Sequence, residues 1–142
     1  MYVKNTPEIQ TAALCYKISS TKKIRVLLIT SRTTKRWIIP KGWPIKGHKN
    51  FRAAEVEAFE EAGVTGKMIN FCIGKYSYIK SHEGQDISCL VYVYPLIVRK
   101  LLVEYPESHQ RKRRWVEISK ASKLITEPEL KNIMYEFNPQ AL

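Results

Sequence analysis

Apolar and polar positions follow two different rhythms along this chain. Ala12 to Ile18 and Ile24 to Thr30 are apolar runs rich in β-branched residues, and the polar stretch Ser19-Ser20-Thr21-Lys22-Lys23 separates them. That pattern predicts a β-hairpin. Trp37-Ile38-Ile39 predicts a third, short strand stopped by Pro40, and a loop holding Gly42, Pro44 and Gly47 follows. From Phe51 to Ala62 the chain reads as a helix rich in Ala and Glu, with Asn50 offered as its N-cap and Gly63 closing it. About Phe71 to Lys80 and Ile87 to Val98 read as two further strands around a turn with Gly84 and Asp86, and Arg113 to Ile118 as a last strand. Toward the C-terminus Leu130, Ile133, Met134 and Phe137 recur at i, i+3, i+4 and i+7, the stripe of a helix facing a core. Thr126-x-x-Glu129 ahead of them has the spacing of a capping box. Strands, helix, strands, helix in this order predict an α/β (α+β) fold, a mixed sheet with helices on both faces.

The length of 142 residues suits one domain spanning 1–142, and neither repeats nor low-complexity linkers divide it. Cys15, Cys72 and Cys89 are odd in number and lack any CxxC spacing, so a disulfide framework and a structural zinc site are both poor readings. The longest apolar run, Ile87 to Val98, is too short to span a bilayer and carries Ser88 and Pro95. Met1-Tyr2-Val3-Lys4-Asn5-Thr6-Pro7 lacks the apolar core of a signal peptide. The expectation is a cytoplasmic protein without a membrane partner. Oligomeric state is not written in these patterns.

Charge changes the picture. Lys and Arg number 24 against 13 Asp and Glu, a net charge of +11. Against that excess, Glu55, Glu57, Glu60 and Glu61 crowd into one helix. Glu57, Glu60 and Glu61 share one arc of it, being spaced i, i+3 and i+4. Like charges at i, i+4 cost roughly 0.2–0.5 kcal/mol per pair. Carboxylates in a last helical turn oppose the helix dipole as well, at about 0.3–1 kcal/mol each. No Lys or Arg at i+4 compensates any of the three. An ordinary solvated face would not be built this way, whereas a hard divalent cation would relieve the repulsion.

Gly42, five residues, His48, seven residues, then Val56-Glu57-Ala58-Phe59-Glu60-Glu61-Ala62-Gly63-Val64 resembles the Nudix box. Arg36-Trp37-Ile38-Ile39-Pro40-Lys41-Gly42-Trp43-Pro44 looks most like the branch that includes diphosphoinositol polyphosphate and diadenosine polyphosphate hydrolases. The likeness covers roughly Thr11 to Phe137. Three positions depart from the pattern: His48 stands for a Glu, Val56 for an Arg, and the small Ala58 for a bulkier aliphatic. The lost Glu and Arg help orient the first box carboxylate in the family, and here they are lost together.

The resemblance implies a Nudix-type α/β/α sandwich and hydrolysis of a pyrophosphate linkage in a nucleoside diphosphate derivative. It implies Mg²⁺ or Mn²⁺ held by Glu60 and Glu61 with the Gly42 carbonyl, and Glu57 as base or further ligand. Family members often add an acid from beyond the box, for which Glu107 is the candidate and Glu83 the alternative. Lys41, Arg36, Lys46, Arg111 and Arg113 are the candidate grips on substrate phosphates. If 111 to 114 run as a strand, Arg111 and Arg113 share one face and Lys112 and Arg114 the other. Tyr76, Tyr78, Tyr92 and Tyr94 read as half-buried sheet residues, one of which could stack on a base. A small pyrophosphate compound, polyphosphate-rich such as a dinucleoside polyphosphate or a diphosphoinositol polyphosphate, is the expected partner. The competing reading is a basic nucleic-acid-binding domain with a weakened or inactive site. RNA is the less favoured partner, because the acidic helix repels a polyanion and no nucleic-acid-binding motif accompanies the charge.

Overall fold

The computed structural model describes residues 6–142, the His82 side chain excepted. Met1–Asn5, which open the segment expected to lack a signal peptide's apolar core, lie outside the described residues. The first hairpin forms as its apolar runs predict: β1 (Glu8–Ile18) pairs antiparallel with β2 (Ile24–Thr30), Tyr16 opposite Val26. β3 (Trp37–Ile38) returns along β2, and β4 (Lys41–Gly42) pairs with β1. After α1 (Asn50–Ala62) come β5 (Val64–Met68), β6 (Gly74–His82), β7 (Gln85–Leu101) and β8 (Arg113–Glu117). Two helices, α2 (Ile118–Leu124) and α3 (Pro128–Glu136), close the chain before a short 3₁₀ turn, Pro139–Ala141.

All eight strands join one mixed sheet. Its spine is β1 against β7, a parallel pair running from Glu8 opposite Cys89 to Tyr16 opposite Ile97. β7 then serves two antiparallel partners in turn, β6 up to Val93 and β5 from Leu96. Pro95 lies between them. Its carbonyl accepts from Ile69 N while Val93 O accepts from Ile73 N, so its missing N–H faces the junction where one partner ends and the other begins. A proline is tolerated in a sheet at such a break.

Both faces of the sheet are covered. On one, Leu14, Val26, Leu28, Val91 and Val93 pack against Ala121, Ile125, Leu130, Ile133 and Met134 of the C-terminal helical segment. On the other, Ala13, Cys15, Leu27, Ile29 and Leu96 meet Ala54, Ala58 and Ala62 of α1. These alanines recur at i, i+4 and i+8, so α1 presents a narrow face without long side chains to the sheet. Ala58, small where the family prefers a larger aliphatic, is wholly buried on that face. The expected mixed sheet between helices is the observed architecture. Among the described residues, no helix is long and apolar enough to cross a membrane.

Several local expectations are corrected. Lys49, not Asn50, is the N-cap residue of α1 and makes no side-chain cap bond; the Asn50 side chain hydrogen-bonds the Tyr94 hydroxyl instead. The capping box does not form either. Pro128 opens α3, Thr126 bonds Glu127 and Arg36, and Glu129 accepts from Ser77 N. Proline's fixed φ suits a first helical position, and tertiary partners take both side chains that local capping would use. Tyr76 and Tyr94 are buried, whereas Tyr78 and Tyr92 are half-buried as expected.

Gly63 ends α1 as the sequence predicts, in the left-handed region at φ 65, with its N–H returned to Phe59 O and Ala58 O. A Cβ there would lie 2.5 Å from the Tyr105 ring and 2.8 Å from an Arg113 nitrogen. Gly63→Ala is therefore expected to cost roughly 2–4 kcal/mol, from the left-handed penalty and the overpacking together. Urea unfolding measures it; a drop below about 0.5 kcal/mol would show that Tyr105 and Arg113 simply move aside.

Candidate active site

One end of the sheet opens into a cavity of about 970 Å³. Four segments build it. The loop between β2 and β3 brings Ser31, Arg32, Thr33, Thr34 and Arg36; β4 brings Lys41, Gly42 and then Trp43; α1 brings Glu57 and Glu61; Glu107 and Arg111 come from the connection ahead of β8. Tyr78 and Lys80 on β6 and Thr126 with Glu127 before α3 complete the walls.

The carboxylates converge. Glu61 is 7% exposed, accepts from Lys41 N at 3.2 Å and pairs with Arg111 Nη2 at 3.5 Å. Glu57 faces Glu61 closely enough for a side-chain hydrogen bond between the two carboxyls. Burial, then the charges of Glu61 and Glu60, that shared hydrogen bond and Glu107 push Glu57 up to about 8. Burial also raises Glu61, against the opposing pull of Arg111 and the Lys41 N–H. Both carboxyls are therefore raised, and the pair favours holding a proton.

Arg111 carries the third carboxylate. Its Nε donates to Glu107 Oε1 at 3.0 Å and its Nη1 to Thr30 O at 3.1 Å, with the side chain 7% exposed. Glu107 is fixed at both ends, since its backbone N–H donates to Glu60 O at 3.0 Å. Lys41 stands across from these acids with Nζ over the Tyr78 ring at 5.0 Å. Burial pulls its ammonium down to about 8, although Glu61 and Glu127 act the other way. Arg36 donates to Thr126 Oγ1 at 2.8 Å and pairs with Glu127 at 3.1 Å.

The donor set fits a hard cation as a nucleus to be completed by water and substrate oxygens. Two raised carboxyls side by side are a natural place for a divalent ion, which would displace a proton. A Cβ at residue 42 would collide with the Glu57 carboxyl, so only glycine leaves that carboxylate its place beside the Gly42 backbone. Among the described residues, no three His, Cys, Asp or Glu side chains are grouped so as to hold a metal ion between them.

Some expected site residues are brought together and others are not. Glu57, Glu61, Gly42, Glu107, Lys41, Arg36 and Arg111 line the cavity; Glu60, Lys46, Arg113 and Glu83 do not. Glu60 stands half-buried beside the lining, near enough for its charge to act on Glu57. Lys46 is exposed on its loop, and Glu83 occupies the tip of the β6–β7 hairpin at φ 51. Arg113 is engaged elsewhere: its guanidinium donates to Ala62 O and Leu102 O and stacks on Tyr105. It satisfies the last carbonyl of α1 and one just beyond β7, which a sequence cannot reveal. Arg111 lies ahead of β8, which begins at Arg113, so the two are not alternate residues of one strand: one serves the site and the other the helix end. His48 lies exposed on the loop with its ring against Lys46 O, so it does not orient Glu57.

Sequence reasoning passed over Arg32, Trp43, Lys80, Thr126 and Glu127. Trp43 alone carried a usable signal, adjoining Gly42. The others reach the cavity from segments distant in the chain.

A helix bearing carboxylates lies beside a Gly-containing loop, on a mixed sheet between helices, with cationic side chains lining the same cavity. The NUDIX domain model matches residues 8–139, and the chain belongs to that family, whose class is the Nudix-type pyrophosphohydrolase. It is 34% identical over 121 residues to Nudix hydrolase 16, mitochondrial, of Arabidopsis thaliana, covering 82% of this chain and 67% of that protein. It is 34% identical over 119 residues to human diphosphoinositol polyphosphate phosphohydrolase 3-alpha, covering 82% and 68%. Among solved structures, C. elegans Ap4A hydrolase superposes with a TM-score of 0.67 at 20% identity, over 96% of this chain and all of that one, a likeness of fold.

Proposed function

We propose that this cavity hydrolyses a phosphoanhydride linkage in a polyphosphate-rich substrate, a dinucleoside polyphosphate or a diphosphoinositol polyphosphate, with Mg²⁺ or Mn²⁺. The observation that carries the reading is one cavity lined both by the acids Glu57, Glu61 and Glu107 and by the cations Lys41, Arg36, Arg32 and Lys80. Relatives named for diphosphoinositol polyphosphates and Ap4A support it.

Glu57, Glu61 and the Gly42 carbonyl would hold the metal, with Glu60 beside them. The ion supplies charge neutralisation at the phosphoryl group and makes a water acidic enough to attack. Lys41 and Arg36 grip the phosphate chain and keep the scissile phosphorus over the acids. Glu57, once a cation had displaced its proton, could take a proton from the attacking water. Glu107, tethered by Arg111, is a second acceptor in the same cavity. Free Cys15, Cys72 and Cys89 suit a reducing compartment, and the cytoplasm belongs to the same proposal.

The test is phosphate-product release from diadenosine polyphosphates, inositol pyrophosphates, nucleotide sugars, nucleoside triphosphates and capped RNA, with and without Mg²⁺ or Mn²⁺. Metal-dependent turnover concentrated in the first two groups is expected. Preference for a sparsely charged nucleotide sugar would sink the substrate reading. Salt-sensitive RNA binding without turnover would favour the basic binding domain.

Metal binding should also depend on pH with a definite sign. Below about 8 Glu57 keeps its proton, so a cation must expel it. Mn²⁺ affinity should therefore rise about tenfold per pH unit up to pH 8 and level off above it. In metal-free protein the same shift means that stability is full below the ordinary carboxylate value and falls as pH rises toward 8. Calorimetric titration of Mn²⁺ between pH 6 and 9 checks this; a flat affinity would place the proton elsewhere.

A further inference from the structure

The cavity has a feature that gripping phosphates does not require. Trp43 lines it, is 41% exposed, and follows Gly42 directly, so its Cα lies about 3.8 Å from that of the residue backing Glu57. Lys80, from the β6–β7 hairpin, places Nζ over the indole at 5.1 Å from the ring centroid. Ile79 beside it is 60% exposed and lines the same cavity. An exposed indole and isoleucine along the wall of a cationic cavity contribute nothing to holding an inositol polyphosphate, whose surface is phosphate. They suit a flat, partly apolar ring attached to a phosphate chain.

Resting on the function proposed above, we propose that Trp43 is the platform on which a nucleobase of the substrate stacks. The substrate class is then a nucleoside polyphosphate, rather than an inositol pyrophosphate. Lys80 stands where base and phosphates join: its ammonium already favours the indole face and can pair with the first phosphate as the ring settles. From there the chain runs inward past Lys41 to Glu57 and Glu61. Stacking on an aromatic side chain is tolerant of base identity, so the platform selects for a base without choosing among bases.

The experiment compares affinities in Mg²⁺ for two analogues that cannot turn over, a methylene-bridged diadenosine tetraphosphate and base-free methylenediphosphonate. Wild type should bind the nucleotide at least about tenfold more tightly, Trp43→Ala should remove most of that ratio, and Trp43→Phe should keep most of it. Quenching of indole fluorescence by the nucleotide, lost only in the Trp43 variants, gives a readout independent of turnover. Equal affinity for both analogues in wild type, or an unchanged ratio in Trp43→Ala, would overturn the proposal. Selective nucleotide binding without metal-dependent turnover in the substrate panel would keep the platform and remove only the hydrolytic reading. Binding of neither analogue would overturn both.

Discussion

Glu61→Gln should lower metal-dependent turnover by about 10³-fold or more. The side chain is buried, accepts from Lys41 N, pairs with Arg111 and faces the Glu57 carboxyl. Removing its charge takes away half of the carboxylate pair on which the ion would rest. Metal assistance is worth several kcal/mol of barrier, and each 1.4 kcal/mol is tenfold in rate. Glutamine keeps the size and one acceptor oxygen, so the fold should survive with a melting temperature within a few degrees of wild type. Glu57→Gln should behave similarly. Glu60→Gln should cost far less, about tenfold, because Glu60 stands beside the cavity and its backbone carbonyl, untouched by the substitution, is what holds Glu107. Single-turnover rates at saturating Mg²⁺ read the ranking directly. Equal losses at 60 and 61 would mean that the ion sits further out than the lining residues indicate.

Arg111→Met should produce the largest loss of stability, about 3–5 kcal/mol, since it leaves buried carboxylates without their cation. The guanidinium is almost inaccessible and divides its donors among Glu61, Glu107 and Thr30 O. Methionine replaces the stem and none of those bonds. The sign of the pH effect follows from Glu61, which burial raises and Arg111 holds back: without Arg111 its charged form is less favoured still, so the deficit shrinks as pH falls and Glu61 takes up a proton. Mn²⁺ should restore part of it by replacing the missing positive charge. Thermal melts of wild type and variant at pH 5 and 7, with and without Mn²⁺, test all three statements. A loss under about 1 kcal/mol, or one indifferent to pH and metal, would show a cluster that water already satisfies.

Arg111 also bears on the departures in the box. His48 and Val56 remove the charged pair that steadies the first carboxylate in the family. In this chain steadiness comes from elsewhere: Gly42 gives Glu57 its space, and Arg111 binds Glu61 and Glu107. The degenerate positions therefore leave a cavity whose acids are still held.

The hairpin, the Glu-rich helix with its glycine stop and the C-terminal apolar stripe were all legible, because each rests on contacts within a few residues. β5 was not, since Gly66 interrupts it with a bulge where an added Cβ would strike Ile97 O, a partner more than thirty residues away. The seven-residue α2 was also missed, being too short for a periodic stripe. Within the site, box spacing pointed to Glu57, Glu60, Glu61 and Gly42, and neighbourhood in the chain pointed to Lys41.

Sequence by itself determined the family, and with it the class of chemistry, because the box lies within one loop and one helix, where spacing also puts three carboxylates on one arc. Only the tertiary structure decided which acids face the cavity, that Glu107 rather than Glu83 joins them, and that Arg111 serves the site while Arg113 caps a helix. The reason is physical. Spacing along one element fixes the directions of its own side chains, but a charge buried against another element is placed by the sheet pairing and packing that join segments far apart in the chain.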